Sequence, residues 1–309
     1  MEEVIYDVAI IGAGAGGMTV ANYASRAGLK VALIERGLYG GQLHNTADIE
    51  NYTGFTSVSG VELSMQMEQQ TRAQDSIAHV FGDVKSINKN DNLFHIELAK
   101  KEVVSKTVVI ATGVSHKKLS VVGEDEFEGS GVSYCAVCDA NFFKDKRVAV
   151  VGGGNSAVEA SLYLSNIADS VRLLHRRDEL RADKVMQDKM FDTENIEVIW
   201  NAQTEEIKGQ NGTVAGLVYQ DKEDSERVFL EAEGVFVNIG AVPETKFLSR
   251  SWLVTDHEGF IITNSKMETT AKGLFAVGDV RSESIRQIVS ATGDGAVASE
   301  SIVNYLRNN

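Results

Sequence analysis

Two stretches of this chain repeat one pattern of apolar and polar positions. In "VIYDVAIIGAGAGGMTVANYASRAGLKVALIER" an apolar run, Val8 to Ile11, leads into a glycine turn. An amphipathic segment follows, and then a second apolar run, "VALIE". Uninterrupted apolar runs of this length, bounded by glycine, predict strands buried on both faces, and the segment between predicts a helix. The same strand, turn, helix and strand recur in "RVAVVGGGNSAVEASLYLSNIADSVRLLHRRDELRA". A strand that feeds a helix and then another strand builds a parallel sheet. The expected fold class is therefore α/β, with two Rossmann-like dinucleotide-binding domains.

The turns carry the chemistry. Gly12, Gly14 and Gly17 form G-x-G-x-x-G. The first glycine makes the tight turn, the second lets backbone approach a pyrophosphate, and the third lets helix and strand pack closely. The helix N-terminus then offers its positive dipole end to phosphate. Glu35 ends the next strand, where a carboxylate accepts hydrogen bonds from a ribose with a free 2′-hydroxyl. In the second copy Gly152, Gly154 and Ala157 give G-x-G-x-x-A, but the following strand ends in His175, Arg176 and Arg177, with Arg181 close by. Guanidiniums at that place suit the 2′-phosphate of NADP rather than a free hydroxyl. A second nicotinamide in the first site would leave the cysteines described next without a role. FAD fits there better, because a flavin takes a hydride from NADPH and passes two electrons to a disulfide.

Composition adds further constraints. Both cysteines of the 309 residues, Cys135 and Cys138, lie in "SYCAVCDANFF". Taken alone, the pair could be a redox dithiol, half of a zinc site, or two idle thiols; a structural disulfide framework would need several spread cysteines. The six histidines show no paired spacing that would complete a zinc site. A net charge of −14 argues against nucleic acid as the main partner. No apolar stretch approaches the roughly 18 residues of a membrane span. The acidic start "MEEVIYD" has no signal-peptide pattern, so a cytoplasmic, reducing compartment is expected. There is one proline, Pro243, where an average chain carries about 5%.

Over essentially its whole length the chain resembles the low-molecular-weight, bacterial-type thioredoxin reductases. "GGQLHNTADIENYTGF" resembles that family's flavin loop, which implies FAD contacts from Gly40, Gly41, Gln42 and Asn51. "VVIATGV" brings Ala111, Thr112 and Gly113 beside the same nucleotide. "GLFAVGDVRSESIRQI" resembles the late flavin motif, implying roles for Gly278 and Asp279 at the ribitol or pyrophosphate and for Arg286, Gln287 and Ile288 along the isoalloxazine edge. "CAVCD" matches the redox pair and the acid after it, Asp139. "GGGNSAVEA" and "HRRDELRA" match the NADPH site, adding Asn155 and Ser156 to the residues already named.

The resemblance implies a split architecture, with an NADPH domain (116–242) carrying the redox pair inserted into a discontinuous FAD domain (1–115 and 243–309). The expected activity is reduction of the disulfide of thioredoxin by NADPH through FAD and a Cys135–Cys138 disulfide, by a homodimer serving cell redox homeostasis. Asp139 is expected to carry a proton, "CAVCDANFF" to open a short helix, and Cys138 to be the sulfur nearer the flavin. Which cysteine attacks the partner stays open. Phe142 and Phe143 are core residues or part of a thioredoxin-binding face. An enzyme reducing ferredoxin would lack the cysteines, a ferredoxin-driven disulfide reductase would lack the arginines, and a redox sensor would not turn over NADPH. Proline is missing where the family usually carries it, at Ala15-Gly16, Thr53 and Val122, and Glu244 replaces an asparagine. Proline restored at Thr53 or Val122 is expected to stabilise. Cysteines and nicotinamide are expected to take turns at the flavin by rotation about Ser115–Lys118 and Gly240–Val242.

Overall fold

A computed structural model describes residues 4–46, 49–222, 225–248 and 253–308. Met1–Glu3 of the acidic start and Ala47–Asp48 of the flavin-loop stretch lie outside these. The chain divides into two compact units, Met1–Ser115 with Val242–Asn309, and His116–Ala241.

The first unit opens with β1 (Ile5–Ile11), α1 (Ala15–Arg26) and β2 (Val31–Glu35), followed by α2 (Gly60–Arg72) and β3 (Ile77–Phe81). The strands β3, β2 and β1 pair in parallel. An antiparallel meander of β4 (Val84–Asn90), β5 (Leu93–Leu98) and β6 (Glu102–Ile110) continues the sheet, with β6 parallel to β1. Alternate residues of β1 feed separate cores. Val8 and Ile10 pack with Met18, Val20 and Ala21 of α1, and Ala9 and Ile11 with Ile87, Phe94 and Ile96 of the meander. Both faces are covered, so the run carries no polar alternation, as a buried parallel strand requires.

After β7 (Val114–His116) the second unit begins. It contains β8 (Val132–Ser133), the one-turn α3 (Ala136–Asp139), β9 (Arg147–Gly152), α4 (Asn155–Ser165), β10 (Ser170–Leu174), α5 (Lys184–Phe191) and β11 (Ile196–Ile199). A three-stranded antiparallel sheet, β12 (Ala202–Gln210), β13 (Thr213–Asp221) and β14 (Arg227–Glu231), precedes β15 (Gly234–Asn238). The parallel sheet runs β11-β10-β9-β15-β8. Val148 and Val150 face α4, while Ala149 and Val151 face the antiparallel sheet, the same two-sided burial as in β1.

The return strand β16 (Ala241–Pro243) pairs with β7, so the two connecting segments lie side by side. Glu244 N–H donates to Gly113 O and Lys117 N–H to Gly240 O. Finally β17 (Leu274–Ala276) joins the free edge of β6 through Val108–Ile110, and α6 (Ile288–Asn308) packs on α1.

Candidate active site

The first glycine turn divides its labour as its spacing requires. Gly12 adopts φ +100°, and a Cβ there would strike the Ala111 carbonyl. A Cβ on Gly17 would overlap the Gly12 carbonyl oxygen, so helix and strand approach only because it is absent. Gly14, by contrast, has open space where its Cβ would be. That bare backbone at the start of α1 is what a pyrophosphate needs. Glu35 closes the turn. Its Oε2 accepts from Ala13 N–H (2.7 Å), and its Oε1 accepts from the N–H groups of Arg36 (2.8 Å) and Gly37 (2.9 Å).

Around this turn the first unit gathers the other flavin-loop residues. Gly40, at φ +118°, donates its N–H to Ala13 O (2.8 Å), and Ser64 occupies the space beside its Cα. Gly41 follows at φ +55°. Gln42 Nε2 donates to Val114 O (2.9 Å), and Asn51 Nδ2 donates to Gln287 Oε1 (3.1 Å), joining two positions 236 residues apart. Ala111 N–H donates to Ile11 O (2.8 Å), and Thr112 Oγ1 donates to Glu244 O (2.7 Å). Gly113 is left-handed and open. Gly278 is also left-handed, and Asp279 beside it is largely enclosed; burial pushes its carboxyl up to about 6, opposed by Arg286 and aided by Asp294. Arg286 holds φ +57°, lays its guanidinium 4.9 Å from the Phe260 ring centre, and leaves a buried Nε without a partner. Gln287 and Ile288 lead into α6, where Ser290 Oγ accepts from Gln287 N–H (3.2 Å).

The orphaned Arg286 Nε, the open Gly14 and Gly113 and the enclosed Asp279 carboxyl fit a flavin dinucleotide. Sequence reasoning missed Asp294, whose carboxylate accepts from Gly278 N–H (3.0 Å) and from Arg281. The available signal was an acid between two glycines, "SATGDGAVAS", near the start of the last helix.

In the second unit Gly152 approaches the Asn238 carbonyl too closely for any Cβ, and Gly154 is open at the start of α4. Arg176, Arg177 and Arg181 are exposed and, among the described residues, enter no ion pair. Arg181 N–H donates to Gly153 O (2.7 Å), which brings the arginine loop back to the glycine turn. Asn155 and Asp183 exchange hydrogen bonds of 3.0 and 2.8 Å beside it, and Ser156 is exposed. Three unpaired cations beside an open helix N-terminus fit the phosphates of NADPH. His175 lies differently from its neighbours. It is buried, with its ring against Gly153 and Nδ1 2.8 Å from Gly152 O. Burial holds the imidazole below its ordinary range, with Arg181 and Arg177 adding to the effect. It props the turn from beneath.

The cysteines form a disulfide, Cys135–Cys138, with Cα atoms 5.3 Å apart. Cys135 caps the one-turn α3, its Sγ accepting from Cys138 N–H at 3.2 Å. Asp139 ends that turn; burial raises its carboxyl above the usual range, and a hydrogen bond from Ser133 opposes this. Ser133, a second residue that sequence reasoning missed, gave no signal there. The two phenylalanines separate: Phe143 is buried edge-on against Phe236 (5.2 Å), and Phe142 is exposed.

The sequence model described as "Pyridine nucleotide-disulphide oxidoreductase" matches residues 6–295. A thioredoxin reductase of Bacillus subtilis is 45% identical over 305 residues, 99% of this chain and 96% of that protein. The solved thioredoxin reductase of Streptococcus pyogenes superposes with a TM-score of 0.93 at 40% identity, covering 100% of both chains. That of Lactococcus lactis, in what is termed its FR conformation, gives 0.69 at 41% identity, covering 98% and 100%. The chain belongs to the pyridine nucleotide-disulphide oxidoreductases. Within that class its activity is that of a thioredoxin-disulfide reductase using NADPH and FAD, with thioredoxin as substrate.

Proposed function

We propose that the unit 1–115 with 242–309 holds FAD and that the unit 116–241 holds NADPH and delivers electrons through Cys135–Cys138. In the first, Gly12, Gly14, Gly17, Glu35, Gly40, Gly41, Gln42, Asn51, Ala111, Thr112, Gly113, Gly278, Asp279, Arg286, Gln287 and Ile288 line the flavin nucleotide. In the second, Gly152, Gly154, Asn155 and Ser156 meet the pyrophosphate, Arg176, Arg177 and Arg181 read the 2′-phosphate, and His175 supports the turn. The observation that carries this reading is one unit bearing both the disulfide and three unpaired arginines at the discriminating strand end. A ferredoxin-driven enzyme has no use for those arginines.

Bound FAD supplies a two-electron relay between the nicotinamide hydride and the disulfide. The chain's residues do the rest. Two electrons open the Cys135–Cys138 bond, and Asp139 gives a proton to the departing thiolate. One thiolate then attacks the thioredoxin disulfide, the other thiol resolves the mixed disulfide, and the pair closes again. We propose further that the two units rotate about Ser115–Lys118 and Gly240–Val242, so that cysteines and nicotinamide alternate at the flavin. In support, only two short segments join the units, and such links absorb the backbone change of a domain rotation. We assign the protein to the cytoplasm as a homodimer that binds neither membrane nor nucleic acid. The charge of −14 argues against nucleic acid, and among the described residues no helix is long and apolar enough to cross a membrane.

The test is NADPH oxidation by the purified yellow protein with a panel of thioredoxins. Cys135→Ser and Cys138→Ser should each abolish thioredoxin reduction while flavin reduction by NADPH persists. Thioredoxin turnover by either variant overturns the proposed route. A verified cross-link between the units should likewise stop turnover, and full activity when locked refutes the rotation.

A further inference from the structure

Among the described residues the Asp139 carboxyl has one side-chain hydrogen-bond partner, Ser133, and it is not a charged one. Ser133 sits in β8, which pairs through Ser133↔Phe236 with β15, so its backbone is fixed by the sheet. Its side chain is 5% exposed. The hydroxyl accepts the Cys135 N–H at 3.0 Å and donates to Asp139 Oδ2 at 2.6 Å. The Cys135 carbonyl lies within reach at 3.3 Å, but a hydroxyl has one proton and the carboxylate is the closer and stronger acceptor. The result is a continuous line, Cys135 N–H to Ser133 O–H to Asp139.

We infer that Ser133 is a positioning residue for reduction of the redox pair, its hydroxyl tying the Asp139 carboxyl to the backbone of Cys135 so that proton carrier and sulfur keep one spacing. This deepens the proposed function and rests on Asp139 being the proton carrier. When the disulfide opens under two electrons, one thiolate takes the Asp139 proton and becomes a thiol. Asp139 becomes a carboxylate, and the Ser133 O–H then donates to that new charge. A hydrogen bond to the charged form favours its formation. Serine suits the task because its oxygen accepts and donates at once; alanine does neither.

Among the described residues, no charged side chain acts on this carboxyl. The elements packed most closely on α3 are α4, whose ionisable residues Glu159 and Tyr163 are both exposed, and the turn 140–143, which has none. Burial and the serine hydroxyl are the influences on Asp139. Loss of the hydroxyl therefore has a signed consequence. The ionised form loses its donor, so the proton is held to higher pH.

The experiment is a 13C-carboxyl NMR titration of the oxidised, flavin-loaded protein, the Asp139 line being identified by its loss in Asp139→Asn. Ser133→Ala should move its midpoint upward by about one pH unit. Ser133→Thr, which keeps the hydroxyl, should restore it. The pH profile of kcat for thioredoxin reduction should shift in the same direction in Ser133→Ala. If Asp139→Asn impairs turnover but Ser133→Ala titrates at the wild-type midpoint, the inference falls and the proton-carrier reading stands. If Asp139→Asn turns over like wild type, that reading falls and takes the inference with it.

Discussion

Arg281 and Asp294 meet at two points, Nε to Oδ2 at 2.8 Å and Nη2 to Oδ1 at 3.0 Å, with both side chains mostly enclosed. The same Oδ2 accepts the Gly278 N–H, and Arg281 Nη1 donates to Thr263 Oγ1 at 2.8 Å. The pair thus fastens the Gly278–Asp279 turn to α6. Removing one partner of an enclosed pair leaves the other charge uncompensated. Asp294→Ala should therefore cost about 3 kcal/mol in urea unfolding. It should also lower the flavin content of the purified protein, read from the yellow absorbance per chain. An unchanged unfolding midpoint would show that the turn stands without the carboxylate.

The arginine loop makes the second prediction. Arg176→Ala with Arg177→Ala should raise KM for NADPH while leaving KM for NADH nearly unchanged. Each lost charge-assisted contact is worth about 1.5–3 kcal/mol, so the double variant should weaken NADPH at least a hundredfold. Equal losses with both cofactors would mean that these side chains do not read the 2′-phosphate.

These two cases mark what the sequence discloses. The arginines are legible because they stand at a fixed offset from a glycine turn, and the turn announces itself through the strand before and helix after. Both Rossmann-like sheets were legible for the same reason: strands such as Val148–Val151, buried on both faces, are continuous apolar runs. Ser133 was not, because nothing local marks it, and Asp294 carried only its flanking glycines as a mark, because its partners Gly278 and Arg281 lie outside its own helix. His175 was read with the arginines because it precedes them, yet a residue at a strand end can face the loop instead of solvent. No local pattern distinguishes the two.

Proline restoration divides in the same way. Tyr52 O accepts the Phe55 N–H at 3.3 Å, and Gly54 holds φ +120°, so Thr53 occupies the second position of a turn that favours proline there. Val122 instead forms a parallel bridge with Glu206, in which its carbonyl accepts from Ile207 N–H (2.8 Å). A parallel ladder continued at Val122 would draw on its N–H, which proline lacks. Thr53→Pro should stabilise by about 0.4–1 kcal/mol without loss of activity. Val122→Pro should not, contrary to the expectation from sequence. A thermal melt of both variants decides; a lower midpoint for Thr53→Pro would show that its loop has been rebuilt around threonine.

The last prediction concerns Asp279. Burial sets its carboxyl at about 6 in the folded chain, against the usual 3.8. A carboxyl raised on folding contributes stability that is complete below its unfolded value and is lost as pH rises through its folded value. Across roughly pH 4 to 6 the flavin-free protein should lose about 3 kcal/mol from this group alone, the equivalent of the difference between the two values. His175 acts oppositely. Its lowered value contributes stability present above its unfolded value of 6.5 and lost as pH falls through its folded one, so the raw pH profile mixes the two. The difference between wild type and Asp279→Asn isolates the carboxyl, because the amide does not titrate. Urea unfolding of both flavin-free proteins at several pH values should show Asp279→Asn gaining on wild type as pH rises through this window, with the gain levelling off above about pH 7. A difference that stays flat from pH 4 to 8 would mean that the carboxyl is hydrated in the flavin-free chain and carries no such strain.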